Sequence, residues 1–186
     1  VQTCALPISD LAADDTEKFG QPSRSEKTVS RLIAKLMQRD HLSRKPLDDK
    51  ISQRAFDMYV KMLDPMKVYF LQSDIDEFSS KWRESIDDNM KKGEYEIAFE
   101  IFSRFLDRVN ERSQLAVELV DSDFDYSLDE EIATDQDDVT FAANEDEVKD
   151  RWRKRIKYNL MVLKNDKDAK TDPKEKLKKQ IGRAHV

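Results

Sequence analysis

The residues that invite a chemical reading are few. Asp121, Asp123 and Asp125 stand at the spacing of the first three ligands of a calcium loop. That loop needs glycine at its sixth position and a bidentate glutamate at its twelfth. Tyr126 and Ile132 occupy those places, so two requirements fail and a solvated acidic loop is the expectation. Arg151, Arg153, Lys154, Arg155 and Lys157 form a basic run beside Trp152 and Tyr158. A nucleic-acid surface needs such a patch on a basic domain. This chain has 33 Lys and Arg against 39 Asp and Glu, a formal net charge of −6. The run therefore reads as the polar face of an amphipathic helix, free to pair with the acidic stretch just before it. His41 follows Asp40 where a helix ends, a place the helix dipole favours for a cation. Serines 73, 79, 80, 85, 103 and 113 read as capping or helix-surface residues, with no base nearby and no glycine-rich oxyanion turn. Three glycines in 186 residues leave no phosphate-cradling loop or dinucleotide fingerprint. No catalytic, cofactor-binding or metal-binding residue is assigned, and no cofactor is expected.

The two ends read differently from everything between them. Residues 1–8 (VQTCALPI) can be encoded by a DNA segment whose reverse complement, one base in, encodes residues 181–186 (IGRAHV) followed by a stop. That segment resembles a common short-read sequencing adapter. The expectation is that both ends are adapter-derived and that the genuine sequence runs from about Ser9 to Gln180, with both natural termini lost. Cys4, the only cysteine, and His185 then carry no chemistry. Removing Arg183 leaves 32 basic against 39 acidic residues, a net of −7. No disulfide or Cys/His zinc site can be built from what remains. No run of 18 apolar residues exists, so no membrane span is expected.

The elements between these ends are helical. Sparse Gly and Pro with abundant Lys, Glu, Leu and Arg favour an all-α fold, an irregular multi-helix bundle of about five helices with an acidic loop near 121–143. Residues 9–24 are polar and aperiodic and read as a flexible leading segment. Residues 25–180 form the helical domain. Val29, Leu32, Ile33, Leu36 and Met37 trace the first apolar stripe, and Ile51, Ala55, Met58, Tyr59 and Met62 the second, which stops before Pro65. Met66–Gln72 is a short, mostly apolar connection that something must cover. Ser73 with Asp76 resembles a capping box, opening a helix with Ile75, Phe78, Trp82 and Ile86 inward and ending near Gly93. A long helix over about Glu94–Val120 presents Tyr95, Ala98, Phe99, Phe102, Phe105, Leu106, Val109, Ala116 and Val120. Residues 121–147 hold twelve acidic residues and no basic one, with Phe124, Tyr126, Val139 and Phe141 as candidate anchors. Asn144 and Glu147 cap a helix that places Val148, Trp152, Ile156, Leu160 and Leu163 on one face, and Asp172-Pro173 opens another.

The run Leu63-Asp64-Pro65-Met66-Lys67-Val68-Tyr69-Phe70-Leu71-Gln72-Ser73-Asp74-Ile75-Asp76-Glu77-Phe78 is more distinctive than any chemical motif. With the helix Ala55–Leu63 before it and the stretch Asn144–Asn159 after it, this run resembles the N-terminal helical domain of the tail-specific, or carboxy-terminal processing, proteases. The resemblance implies a parent serine endopeptidase, in the periplasm or cell envelope, that trims or degrades proteins from their C-termini. It implies a PDZ domain that receives protein substrates and a Ser/Lys dyad, both beyond Gln180. This segment would then be a non-catalytic scaffold that packs against the protease core, helps enclose substrate, or docks an adaptor. The alternative is a stand-alone helical interaction module with no enzymatic parent. Resequencing the source DNA is expected to replace residues 1–8 and 181–186 with natural sequence; an independent clone carrying the same termini overturns the adapter assignment.

Overall fold

The computed structural model describes residues 24–40, 47–165 and 171–183. Seven helices lie among them: α1 (Arg24–Asp40), α2 (Asp49–Leu63), α3 (Gln72–Trp82), α4 (Ile86–Lys92), α5 (Glu96–Asp121), α6 (Glu145–Lys164) and α7 (Pro173–Arg183). The fold is all-α. Its single strand-like feature among the described residues is a parallel bridge between Leu71 and Ala142, where the Gln72 N–H donates to the Ala142 carbonyl at 2.8 Å. Of the expected leading segment 9–24, Arg24 is described and is helical, at the start of α1; the rest of it, with His41, Cys4 and His185, lies outside the described residues. The described α7 continues through residues 181–183, past the expected boundary at Gln180.

Several helix starts follow from their sequence signals. Asp48 accepts the Ile51 N–H and opens α2, which ends before Pro65. Asn144 accepts the Glu147 N–H at 3.0 Å, and the Glu147 carboxylate returns to the Ala143 N–H. Asp172 accepts the Glu175 N–H and places Pro173 at the first position of α7, where a missing N–H costs nothing. At α3 the register differs from expectation. Asp74, not Asp76, supplies the returning carboxylate, accepting the Leu71 N–H at 3.0 Å, and the helix starts at Gln72.

The expected single helix from Ser73 to Gly93 is two. The Ser85 hydroxyl bonds back to the Lys81 and Trp82 carbonyls, while the Asp87 N–H is taken by the Ser52 hydroxyl at 2.9 Å. Those bonds end one helix and start the next. Gly93 closes α4 in the left-handed region, φ 77°. A Cβ there would lie 2.6 Å from the Lys27 carbonyl, so α1 can approach only a glycine.

The core is built in two main parts. Phe56, Val60, Phe70, Phe78, Ile97, Ile101 and Phe105 bury together, with Tyr59, Ile75, Trp82, Ile86 and Phe141 packed around them. Ala116, Leu119, Val120, Ile156, Leu160 and Leu177 form the second, with Phe124, Trp152, Leu163 and Ile181 on its margin. Long α5 serves both, through Ile97 to Phe105 at one end and Ala116 to Val120 at the other.

Two expected stripes are displaced. On α2 the buried line is Ser52, Phe56 and Val60, one residue beyond the expected Ile51, Ala55 and Tyr59; Tyr59 packs on the margin of the core, while the expected Met58 and Met62 are exposed. On α1 four of the five expected stripe residues face outward, and Met37 is half-buried. Val29, Leu32, Ile33 and Leu36 are exposed, and Ser30 and Ala34 are the buried pair. The cause is polar. Helix α4 ends beneath α1; its Met90 carbonyl accepts the capping Gly93 N–H at 3.1 Å, and the last carbonyls of a helix have room for donors from outside it. Ser30 Oγ donates to the Met90 carbonyl at 3.1 Å and Arg31 Nε to the Lys92 carbonyl at 2.7 Å. Satisfying those acceptors turns the hydroxyl face inward.

The connection between α2 and α3 depends on Asp64. Its carboxylate accepts the N–H groups of Val68, Tyr69 and Phe70 at 2.9, 2.9 and 3.0 Å. Burial raises the Asp64 carboxyl above its ordinary value, against the lowering effect of those three N–H groups and of the Arg155 charge. We predict that Asp64→Ala, by stranding these donors, lowers stability by about 3 kcal/mol, since an unsatisfied buried polar group costs about 1–3 kcal/mol. Thermal or urea denaturation of the variant checks this, and an unchanged midpoint contradicts it.

Candidate functional site

The crossover from Asp64 to Asp74 and the face of α6 beneath the acidic loop bring together most of the residues that drew a chemical reading. Phe70 is fully buried, with Phe78 edge-on at 6.2 Å between ring centres. Tyr69 lies edge-on to both Phe105, at 5.4 Å, and Trp152, at 5.9 Å. Trp152 Nε1 donates to the Val68 carbonyl at 3.0 Å, so the indole ties α6 to the crossover. Lys67 takes a positive φ of 50° and lets the chain turn after Pro65, while its ammonium reaches the Val139 carbonyl of the acidic loop.

Asp74 is the most deeply placed ion-pair member. Its carboxylate meets Arg104 Nη1 at 2.6 Å and Arg108 through Nε at 2.9 Å and Nη2 at 3.0 Å. Burial pushes the Asp74 carboxyl up, but the Arg108 guanidinium, the Leu71 N–H and Arg104 outweigh it and hold the group below its ordinary value. One turn further along α5, the buried Arg112 forms a two-pronged pair with Glu145 at 2.6 and 3.0 Å. These arginines hold α3 and the start of α6 against α5. Sequence periodicity had not marked Arg112 as interior; Glu145, in the acidic first turn of α6, is the partner that makes its burial tolerable.

The basic run on α6 is largely spent on the acidic loop. Arg153 and Lys157 both pair with Glu130, and Arg153 also with Asp150 at 2.9 Å. Arg151 donates to the Thr140 carbonyl at 2.6 Å and pairs with Glu147. Lys154 pairs with Asp150 at 2.7 Å. The loop thus lies on α6 through charge, with Phe124 and Phe141 as apolar anchors; Tyr126 instead stays exposed under the Lys164 ammonium at 4.2 Å. Arg153 and Lys157 hold the Glu130 carboxyl down to about 2.

The remaining candidates have structural uses. Asp121 pairs with Lys178 of α7, and Asp125 accepts from the backbone and hydroxyl of Ser127, so the three spaced aspartates do not converge. Among the described residues no group of three His, Cys, Asp or Glu side chains could hold a metal ion. Ser80 and Ser113 donate to carbonyls of their own helices. Ser52 was not singled out by sequence, yet it is fully buried and donates to Asp87 Oδ1 at 2.8 Å. A cavity of about 220 Å³ lies between Met66, Val68, Ile132, Val139, Lys154 and Arg155. A second, of about 330 Å³, lies between the loop and the outer face of α6. Among the described residues no helix is long and apolar enough to cross a membrane.

Because Asp74 sits below its ordinary value when folded, its contribution is present above the unfolded carboxylate range and is lost as pH falls through the folded value. The lowered Asp87, Glu147 and Asp150 add to this in the same sense. Stability is therefore expected to fall as pH drops below about 4. Asp74→Asn should lose about 3 kcal/mol at neutral pH, since it leaves Arg104 and Arg108 short of a buried anion, and should flatten that acid limb. Urea midpoints across the pH series test both; a wild-type-like acid limb in the variant rules the assignment out.

The model of the family described as tail specific protease N-terminal domain matches residues 33–185. A tail-specific protease of Haemophilus influenzae is 31% identical over 160 residues, which cover 86% of this chain and 23% of that relative's length. The chain spans about a quarter of the relative. With the matched residues running from α1 through α7, this chain belongs to the tail specific protease N-terminal domain family.

Proposed function

We propose that this chain serves as the non-catalytic helical scaffold of a serine-type endopeptidase that processes proteins from their C-termini in the periplasm or cell envelope. The parent supplies the PDZ domain that receives the substrate and the Ser/Lys dyad that cleaves it. Residues 25–180 form the scaffold, pack against the protease core and help enclose the substrate, and residues 1–8 and 181–186 are adapter-derived. The observation that carries this reading is the lopsided match: most of this chain aligns with less than a quarter of a tail-specific protease. It is supported by the ionic side chains at Asp74, Arg112 and Glu130, which are used in bonds within the bundle.

A stand-alone interaction module is the second reading, favoured by the exposed apolar stripe on α1. Reading the source DNA beyond Gln180 separates the two. We expect a PDZ-like segment followed by a protease region with Ser and Lys. The extended protein should cleave a reporter with a free C-terminal tail, and its deletion variant lacking residues 25–180 should lose at least about tenfold in kcat/KM, or about 1.4 kcal/mol. The isolated chain should cleave nothing. A natural stop codon soon after Gln180 supports the module reading and removes the protease one.

A further inference from the structure

The acidic loop is packed into the bundle at its two ends and held by charge between them. Phe124 lies at the margin of the second core cluster, and Phe141 packs against the first, beside the buried Ala142. Over residues 125–140 no residue is buried, and only Glu130, Ile132 and Val139 are half-buried. The backbone of this stretch makes one backbone–backbone hydrogen bond among the described residues, from the Asp138 N–H to the Asp135 carbonyl at 3.4 Å, and that bond is internal. What joins the stretch to the body beneath is a set of cations. Lys61 pairs with Asp137 at 3.3 Å, Arg151 donates to the Thr140 carbonyl at 2.6 Å, and Lys67 donates to the Val139 carbonyl.

The space beneath the stretch is poorly filled. A cavity of about 220 Å³ has Ile132 and Val139 in its wall, one of about 330 Å³ has Leu128 and Ile132, and one of about 310 Å³ has Gln136 and Asp137. Ile132 and Lys154 line both of the first two, so the loop at Ile132 is a partition between them. Few buried apolar contacts, a solvated backbone and voids beneath it characterise a segment that opens at lower cost than the fold around it. One contact opposes opening. Glu130 pairs with both Arg153 and Lys157, and Lys157, only 9% exposed, also donates to the Leu128 carbonyl at 3.2 Å. A buried ammonium needs an anion beside it, and Glu130 is the carboxylate paired with this one.

We propose that residues 125–140 are a strap that lifts from α6 as a unit, hinged at Phe124 and Phe141 and latched by Glu130 on Arg153 and Lys157. Closed, the strap covers this face of α6 with a segment of the same chain and divides the space beneath it at Ile132. Open, the two cavities become one groove along α6, from Met66 and Val68 at one end to Tyr158 and Met161 at the other, and Arg153 and Lys157 reach water. The latch depends on a single charge. With Glu130 neutral, the closed strap buries Lys157 without its anion while the open strap hydrates it, so the equilibrium moves toward opening. With Glu130 and Lys157 both replaced by apolar residues, that penalty is gone and closure returns. This inference does not rest on the protease reading and fails or stands independently of it.

Spin labels on Thr134→Cys in the strap and Asn159→Cys in α6, in the 186-residue chain carrying Cys4→Ser, read the strap position as a distance distribution by double electron–electron resonance. Both labelled positions are exposed, so the labels displace no packing. The parent chain should show one main distance. Glu130→Gln should add a longer one and raise its fraction at least about tenfold, with the helical circular dichroism unchanged. Glu130→Met with Lys157→Met should restore the main distance; Glu130→Leu with Lys157→Leu replaces that pair if it loses helicity. A Glu130→Gln chain that keeps the single parent distance overturns the proposal. Loss of helicity together with release of the strap overturns it too, because the strap would then be part of the cooperative fold and not a unit of its own. So does a helical apolar pair whose strap stays open.

Discussion

Three backbone N–H groups on one carboxylate decide where the rest of the chain goes. Asp64 takes the donors of Val68, Tyr69 and Phe70, and Asp74 takes that of Leu71. Between them the two aspartates bond four consecutive residues of a segment that has no helix of its own. An irregular segment can enter a core only when its polar backbone is paired. That condition lets Phe70 reach full burial and Tyr69 sit between α5 and α6. The same segment then bonds outward, from Gln72 to Ala142 and from the Val68 carbonyl to Trp152. Helices α2, α3, α5 and α6 are therefore located relative to one short connection.

Asp74 links this local geometry to long-range packing. One oxygen serves the helix start at Leu71, and both meet arginines of α5. A charge in this place is costly to bury, and two guanidinium partners plus a backbone donor are what offset the cost. Arg112 and Glu145 repeat the arrangement one turn further on, toward α6. The bundle is held along α5 by a line of ionic contacts as well as by the phenylalanine cluster. That combination lets a chain in which 39% of residues are charged bury two main apolar clusters.

How much of this was legible in the sequence follows from which forces act locally. Helix starts at Asn144 and Asp172 were readable because a cap and its N–H lie within three residues. The face of α6 was readable because Val148, Ile156 and Leu160 repeat at helical spacing and are buried. The capping residue of α3 was misplaced by two positions, since Asp74 and Asp76 are equivalent to a pattern and only the crossover distinguishes them. The break at Ser85 depends on Ser52, 35 residues away from Asp87, and no local pattern contains it. The buried side of α5 centres on Ile97 and Ile101, which were passed over because aromatic residues on either flank formed an equally regular stripe. The Leu-Asp-Pro run carried the resemblance read from the sequence, and the structure gives its physical content: the aspartate is the acceptor for the turn it begins.

Helix α1 shows how a polar requirement can override apolar periodicity. Its stripe is regular, and burial of four aliphatic side chains is worth more than two hydrogen bonds in a simple comparison. That comparison omits α4. The Met90 and Lys92 carbonyls lie where α1 packs; Met90 already accepts the Gly93 N–H at 3.1 Å, and an apolar face would deny it the second donor from Ser30 and leave the Lys92 carbonyl without the Arg31 donor. Gly93 then admits the α1 backbone to a distance that no side chain could tolerate. Hydroxyl and guanidinium donors meet the α4 terminus, and the aliphatic side chains are displaced to the far side. The outward stripe is thus a consequence of satisfying a helix end, and the apolar area it leaves bare is what the sequence pattern had assigned to the core.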